Sequence, residues 1–159
     1  MKKIIIGSDK SGYRLKETLK THLAEQGFEV IDGGTTDENE PKPYFVVAEA
    51  VGKRMSDGEF EHGILICGTG MGMSIVANKY PGVYAAVCEN TYAAEKARAI
   101  NDANVLTMGG WITGEFAGCA IADVFLKTAF TENLEDWRAK NLHVAREKVK
   151  EIEKKIYNQ

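Results

Sequence analysis

The chain has 159 residues, room for one hydrophobic core rather than two lobes. Apolar residues make up 44% and charged residues 27%, ordinary globular usage that excludes disorder and collagen-like repeats. Twenty Lys+Arg against 23 Asp+Glu leave a net charge of -3, which offers no footprint for nucleic acid or for an anionic membrane.

The first residues, Met1, Lys2 and Lys3, have the charge of an export signal, but the apolar run ends after Ile4, Ile5 and Ile6 at Gly7, Ser8, Asp9 and Lys10. Residues 3–7 therefore read as a first strand. Leu15, Leu19 and Leu23 recur at helical spacing and predict a helix over 13–26, with Gly27 as its stop. A strand over 29–32 follows, then a helix over 44–56 and a second buried strand over 63–67. The apolar stretch from 64 to 77 is interrupted by Gly68, Gly70 and Gly72 and is far short of a membrane span. Further elements are a helix over 73–79, a strand over 83–87, a helix over 91–101, a strand over 104–108 and a helix over 114–127. Short apolar runs alternating with helical patterns are the signature of repeated βαβ units, so the expected fold is α/β, one domain over 1–159 with a mostly parallel five-stranded sheet covered on both faces.

The last segment, about 134–157, differs in kind. Leu134, Trp137, Leu142, Ala145, Val149, Ile152 and Ile156 form a partial stripe among Lys, Arg and Glu at spacings of three and four. It reads as a solvated surface helix or as an arm lying on a second subunit. Cys67, Cys88 and Cys119, an odd count at wide spacing, fit a reduced cytoplasmic protein better than a disulfide scaffold.

In an open parallel sheet, ligands bind beyond the carboxyl ends of the strands. Polar residues and glycines cluster at those ends, most densely in Cys67, Gly68, Thr69, Gly70, Met71 and Gly72, where a buried strand runs through alternating glycines into a helix. Small residues there let backbone N–H groups turn toward an anion, and the helix start adds partial positive charge. A dinucleotide site is disfavoured, because the run is G-x-G-x-G with Met73 at the place of the third glycine, and the lysine of a nucleotide P-loop is missing. Cys88 and Cys119 read as small core residues. Cys67 stands directly before the cradle, where a thiolate is favoured, so it can remove a proton while the neighbouring amides hold the resulting oxyanion. Thr69 adds a hydroxyl in the same turn. Asp9, from another strand end, supplies an acid or simply caps the helix that follows it. His22, His62 and His143 are scattered, and no spacing of His, Cys and carboxylates resembles a metal site, which leaves metal-free proton transfer with no cofactor.

Three blocks together carry a resemblance: Gly7-Ser8-Asp9, the run from Gly63 through Cys67-Gly68-Thr69-Gly70-Met71-Gly72 to Lys79, and Asn101-Asp102-Ala103-Asn104-Val105-Leu106. They resemble the family of ribose-5-phosphate isomerase B and the galactose-6-phosphate isomerase subunits, over residues 1 to about 127. The resemblance implies a Rossmann-like three-layer sandwich that forms homodimers or tetramers with active sites at the subunit interface. It implies an aldose–ketose isomerase of a phosphorylated sugar, with Cys67 moving a proton between C1 and C2 through an enediolate. By the same resemblance Asp9, Tyr44, Thr69 and Asn101 line the substrate, around the glycine loop.

The chain departs from that pattern at several positions. Lys10 follows Asp9 where the family has histidine, Ile100 stands where a ring-opening histidine precedes Asn101, and Trp111 replaces an arginine that often follows Gly109-Gly110. A C-terminal Gly-Arg-His stretch is absent, and Lys10, Arg138 and His143 are the candidate cations for the substrate's anionic end. An isoleucine can neither donate nor accept the proton that ring opening requires. The expected substrate is therefore one whose chain is already open, such as a four-carbon ketose 4-phosphate of the erythrulose type. The alternatives are a ribose-5-phosphate or galactose-6-phosphate type of isomerase, one that needs a paralogous subunit, or a non-catalytic sugar-phosphate sensor.

Overall fold

The computed structural model describes residues 2–158. Among them are five strands and six helices in the order β1 (Lys3–Ser8), α1 (Tyr13–Glu25), β2 (Glu29–Asp32), α2 (Tyr44–Ser56), β3 (His62–Cys67), α3 (Met71–Ala77), β4 (Ala85–Val87), α4 (Thr91–Ala99), β5 (Val105–Gly109), α5 (Glu115–Lys127) and α6 (Asp136–Tyr157). The strands form a single sheet in the order β2-β1-β3-β5-β4, every pair parallel. Crossovers leave β1 toward β2 on one side and reach β3 on the other, so the strand order reverses between β1 and β3. Asp9 and Cys67 end those two strands, at the position where such sheets open a crevice.

Strand alternation sorts the core into two layers. Ile4, Ile6, Ile64, Ile66 and Leu106 face α1 and α5, meeting Leu15, Leu19, Leu23, Ile121 and Phe125. Ile5, Leu65, Cys67 and Val105 face the other way, onto Val47, Val51 and Met55 of α2 and Met73 and Ala77 of α3. The α1 stripe is buried as its spacing predicts. One turn-mate, Lys16, is buried completely as well, because its ammonium ends between the carboxylates of Asp32 and Glu17.

Several boundaries differ from the sequence reading. Strand β4 begins at Ala85 rather than at 83, since the Val83 N–H donates to Tyr80 O in a turn and the Tyr84 N–H donates to the Asn104 side chain. Helix α3 starts two residues early, at Met71, because Gly70 takes φ +78° and turns the chain directly into the helix. Helix α4 ends at Ala99, which puts Ile100 and Asn101 in the turn before β5. Helix α6 starts at Asp136, after turns in which Thr131 and Asn133 take positive φ.

Helix α6 buries none of its residues, yet it is not freely solvated. Its Arg146 pairs with Asp102, its Glu153 accepts from the Gly82 N–H and the Tyr84 hydroxyl, and the Tyr157 hydroxyl donates to Lys79 O. All these anchors precede β4 or β5, so α6 is tied to the amino-terminal edge of the sheet. Trp137, Val144, Ile152 and Ile156 remain outside on it.

Candidate active site

The centre of the site is the junction of β3 and α3. Cys67 points into the α2/α3 layer with 6% of its surface exposed, and its Sγ accepts a hydrogen bond from the Gly70 N–H at 3.1 Å. Gly70 can make that bond because of its left-handed backbone; a Cβ there would also stand 2.8 Å from the carbonyl carbon of Met108. Thr69 Oγ1 accepts the Met71 N–H at 3.3 Å, closing the same turn. Two of the amides in the glycine run are thereby engaged within it. The amide of Gly72, partly accessible, remains in the first turn of α3, where a helix offers it no internal acceptor, so it is a donor left for a ligand oxygen. The helix has only seven residues, so local amides rather than a long macrodipole supply the positive potential.

Asp9 enters from β1. Its backbone N–H donates to Ile66 O, which binds the end of β1 to the end of β3, and its Oδ1 accepts the Gly12 N–H at 3.1 Å. Asp9 thus does cap the turn before α1, and it remains half-buried. Burial pushes its carboxyl above the ordinary aspartate value against the opposing pull of the Gly12 and Ser11 amides. A carboxyl so poised takes up a proton more readily than a solvated one. Lys10 beside it is exposed.

Two aromatic rings border the cradle. The Tyr44 ring, at the start of α2, sits where a Cβ on Gly72 would be 2.7 Å away. The Trp111 ring lies against Gly68, 2.8 Å from the position of its absent Cβ, although three-quarters of Trp111 is exposed. The sequence marks Trp111 only as a departure from a pattern. Its contact with the cradle depends on β5 pairing beside β3, with Gly109 opposite Cys67, which no local signal reveals.

The structure does not bring every candidate residue to this crevice. Asp9, Lys10, Tyr44, Cys67, Gly68, Thr69, Gly70, Met71 and Gly72 gather at the carboxyl end of the sheet. Asn101 follows α4 and precedes β5, so it lies at the opposite, amino-terminal end; β3 and β5 run in register from Gly63–Val105 to Cys67–Gly109. Four steps of strand put the two ends at least ~13 Å apart. Arg138 and His143 belong to α6, where His143 packs edge-on to Phe130 at 4.9 Å and Arg146, paired with Asp102 beside Asn101, stacks on the same ring. Asn101 lines an apolar cavity of about 120 Å³ with Ile100, Leu142, Arg146 and Val149. Within one chain the thiol and cradle are therefore separated from Asn101 and the α6 residues that surround it.

The ionic order around Asn101 centres on Asp102, at φ +51°. Its carboxylate bridges Arg98 at 3.0 Å and Arg146 at 2.9 Å, and Arg98 also donates to Ala103 O at 2.6 Å. The turn carrying Ile100 and Asn101 is thus clamped between α4 and α6. Among the described residues no group of His, Cys, Asp and Glu has the arrangement of a metal centre, and no helix is long and apolar enough to cross a membrane.

The family model described as Ribose/Galactose Isomerase matches residues 4–142. A 4-deoxy-4-sulfo-D-erythrose isomerase from Clostridium sp. (strain MSTE9) is 60% identical over 155 residues, 98% of each chain. A D-erythrulose-4-phosphate isomerase from Pectobacterium atrosepticum is 36% identical over 149 residues, covering 85% of this chain and 98% of that one. The solved structure of ribose-5-phosphate isomerase B from Clostridium thermocellum superposes with a TM-score of 0.87 at 42% identity, covering 97% of this chain and 99% of that one.

Proposed function

The chain belongs to the ribose/galactose isomerase family, and from that premise we propose that it interconverts a four-carbon aldose and its 2-ketose, with an anionic group, best a sulfonate, on C4. One observation carries the reaction type: the Cys67 sulfur, held by the Gly70 N–H, stands at the start of an amide cradle at the switch point of the sheet. Cys67 as thiolate removes the C2 proton of the aldose. The C–H electron pair becomes the C1–C2 double bond and the carbonyl pair moves to O1, whose charge the Gly72 amide receives. Asp9 and Thr69 carry the hydroxyl proton from O2 to O1. The new C2 carbonyl then reforms as C1 takes the proton back from Cys67, so nothing is oxidised overall and no external reductant enters.

Chain length follows from Ile100. A sugar that closes a furanose needs an acid or base at its ring oxygen, and the residue beside Asn101 offers neither. A tetrose with sulfur or an ester at C4 has no free C4 hydroxyl with which to close such a ring. That chemistry matches what the names of the Clostridium sp. and Pectobacterium relatives say those proteins act on. The first of them, at 60% identity, favours a sulfonate over the phosphate expected from sequence.

The separation of Cys67 from Asn101 supports a homodimer in which one copy presents Cys67 and the other Asn101, Arg138 and His143. The apolar residues left outside, Tyr44, Phe45 and Val46 on α2 and Ile75 on α3, fit a surface covered by a second copy. Three free cysteines suit a reduced cytoplasmic setting.

The test is turnover by the purified chain of 4-deoxy-4-sulfo-D-erythrose, erythrulose 4-phosphate, ribose 5-phosphate and galactose 6-phosphate, followed by NMR in D2O. The expected result is preference for the four-carbon sulfonate with deuterium entering at C1 of the ketose. Preference for ribose 5-phosphate overturns the chain-length reading, and absence of turnover on all four overturns the catalytic one.

A further inference from the structure

We propose that Trp111 is the specificity-determining residue of this site: its indole walls off the Gly68 side of the cradle and so selects a short chain with a singly charged end. The inference rests on the four-carbon reading and goes beyond it by assigning the selection to one side chain.

The position of Trp111 is set by backbone. Strand β5 lies beside β3 with Gly109 opposite Cys67, and past the strand ends the Gly110 N–H donates to Cys67 O at 2.7 Å while the Trp111 N–H donates to Gly68 O at 3.0 Å. The residue after Cys67 is thus bonded to Trp111 through its carbonyl. The indole then turns back over Gly68: Cδ2, Cε3 and Cζ3 would each stand 2.8 Å from a Cβ on that residue. One face of the ring rests on the cradle's backbone and the rest is open, since 75% of Trp111 is exposed. The open face of the indole is thus available to a ligand that enters the cradle from the Gly68 side.

Such a wall has two chemical consequences. It occupies volume on the Gly68 side of the cradle that the extra carbon and ester oxygen of a pentose 5-phosphate would need. It is also uncharged, with a single N–H donor and no acceptor, which suits a sulfonate monoanion better than a phosphate dianion that calls for a guanidinium or ammonium. Arg14, which lines the groove beside Gly110, is already paired with Glu115 across it.

The experiment compares kcat/KM for 4-deoxy-4-sulfo-D-erythrose and ribose 5-phosphate in the wild type and in the full-length Trp111→Ala, Trp111→Phe and Trp111→Arg variants, with thermal unfolding and sedimentation run alongside. Trp111→Ala is expected to shift the ratio toward ribose 5-phosphate by about tenfold or more, Trp111→Arg further, and Trp111→Phe by less than about threefold. An unchanged ratio in Trp111→Ala overturns the assignment. So does an equal fall on both substrates accompanied by dissociation, which would make the indole an interface residue. The wild-type rates test the four-carbon reading and the ratio across variants tests Trp111, so the two fail separately.

Discussion

Cys67 and Asn101 lie at opposite ends of the same sheet, the one closing β3 and the other introducing β5 in the neighbouring strand position. If both serve one substrate, they come from different copies of the chain. Mixing Cys67→Ser with Asn101→Ala, each inactive alone, should therefore restore up to about a quarter of wild-type activity, since random pairing of dimers gives half heterodimers with one intact site of two. Activity assays after co-refolding decide this; a mixture as inactive as its parents removes Asn101 from the partner's site.

Cys67→Ser is expected to lower kcat by about a thousandfold or more, because a hydroxyl is a far poorer proton acceptor than a thiolate at neutral pH. Substrate affinity, read by calorimetry, should stay within about threefold, as the amide of Gly72 is untouched. Turnover retained in the variant would move the base elsewhere.

Gly70→Ala tests the cradle's backbone. The left-handed φ of +78° costs an alanine about 1–2 kcal/mol, and the new Cβ would press on the Met108 backbone at 2.8 Å. Because relief requires Gly70 to rotate away from Cys67, activity should fall by more than the loss of stability in urea accounts for. Equal effects on the two would show that the N–H bond to the sulfur has no part in catalysis.

The fully buried Lys16 gives a prediction about stability alone. Burial pushes Asp32 up, but hydrogen bonds from Lys16, the Gly34 amide and Lys20 together outweigh it and hold its carboxyl below the ordinary aspartate value. A folded-state pKa below the unfolded one stabilises fully above the ordinary carboxylate range. That contribution is lost as pH falls from the unfolded value through the folded one. Asp32→Asn leaves the ammonium of Lys16 without its main counter-charge and should cost about 3 kcal/mol at neutral pH. The double variant Lys16→Met/Asp32→Asn should recover most of it. Urea titrations at pH 7 and pH 3.5 check both, the variant's deficit being smaller at the lower pH.

How much of this was legible beforehand depends on the range of the interactions involved. The α/β class, the five strands and the α1 stripe of Leu15, Leu19 and Leu23 are local periodicities, written into any window of about a dozen residues. Cys67 and its glycines were legible for the same reason, since a strand running into alternating glycines is a contiguous signal. The early start of α3 turned on the positive φ of Gly70, and the late start of β4 on the side chain of Asn104, twenty residues away in sequence.

What the amino-acid order determined by itself, then, was the set of elements and the chemistry placed at their ends, because hydrophobic spacing and turn residues act within a few positions of one another. Only the tertiary structure decided which ends meet. The order β2-β1-β3-β5-β4 set Asp9 beside Cys67, laid Trp111 on Gly68 and sent Asn101 to the opposite end of the sheet. Strand pairing is settled by burial summed over the whole core, a quantity that no stretch of sequence contains.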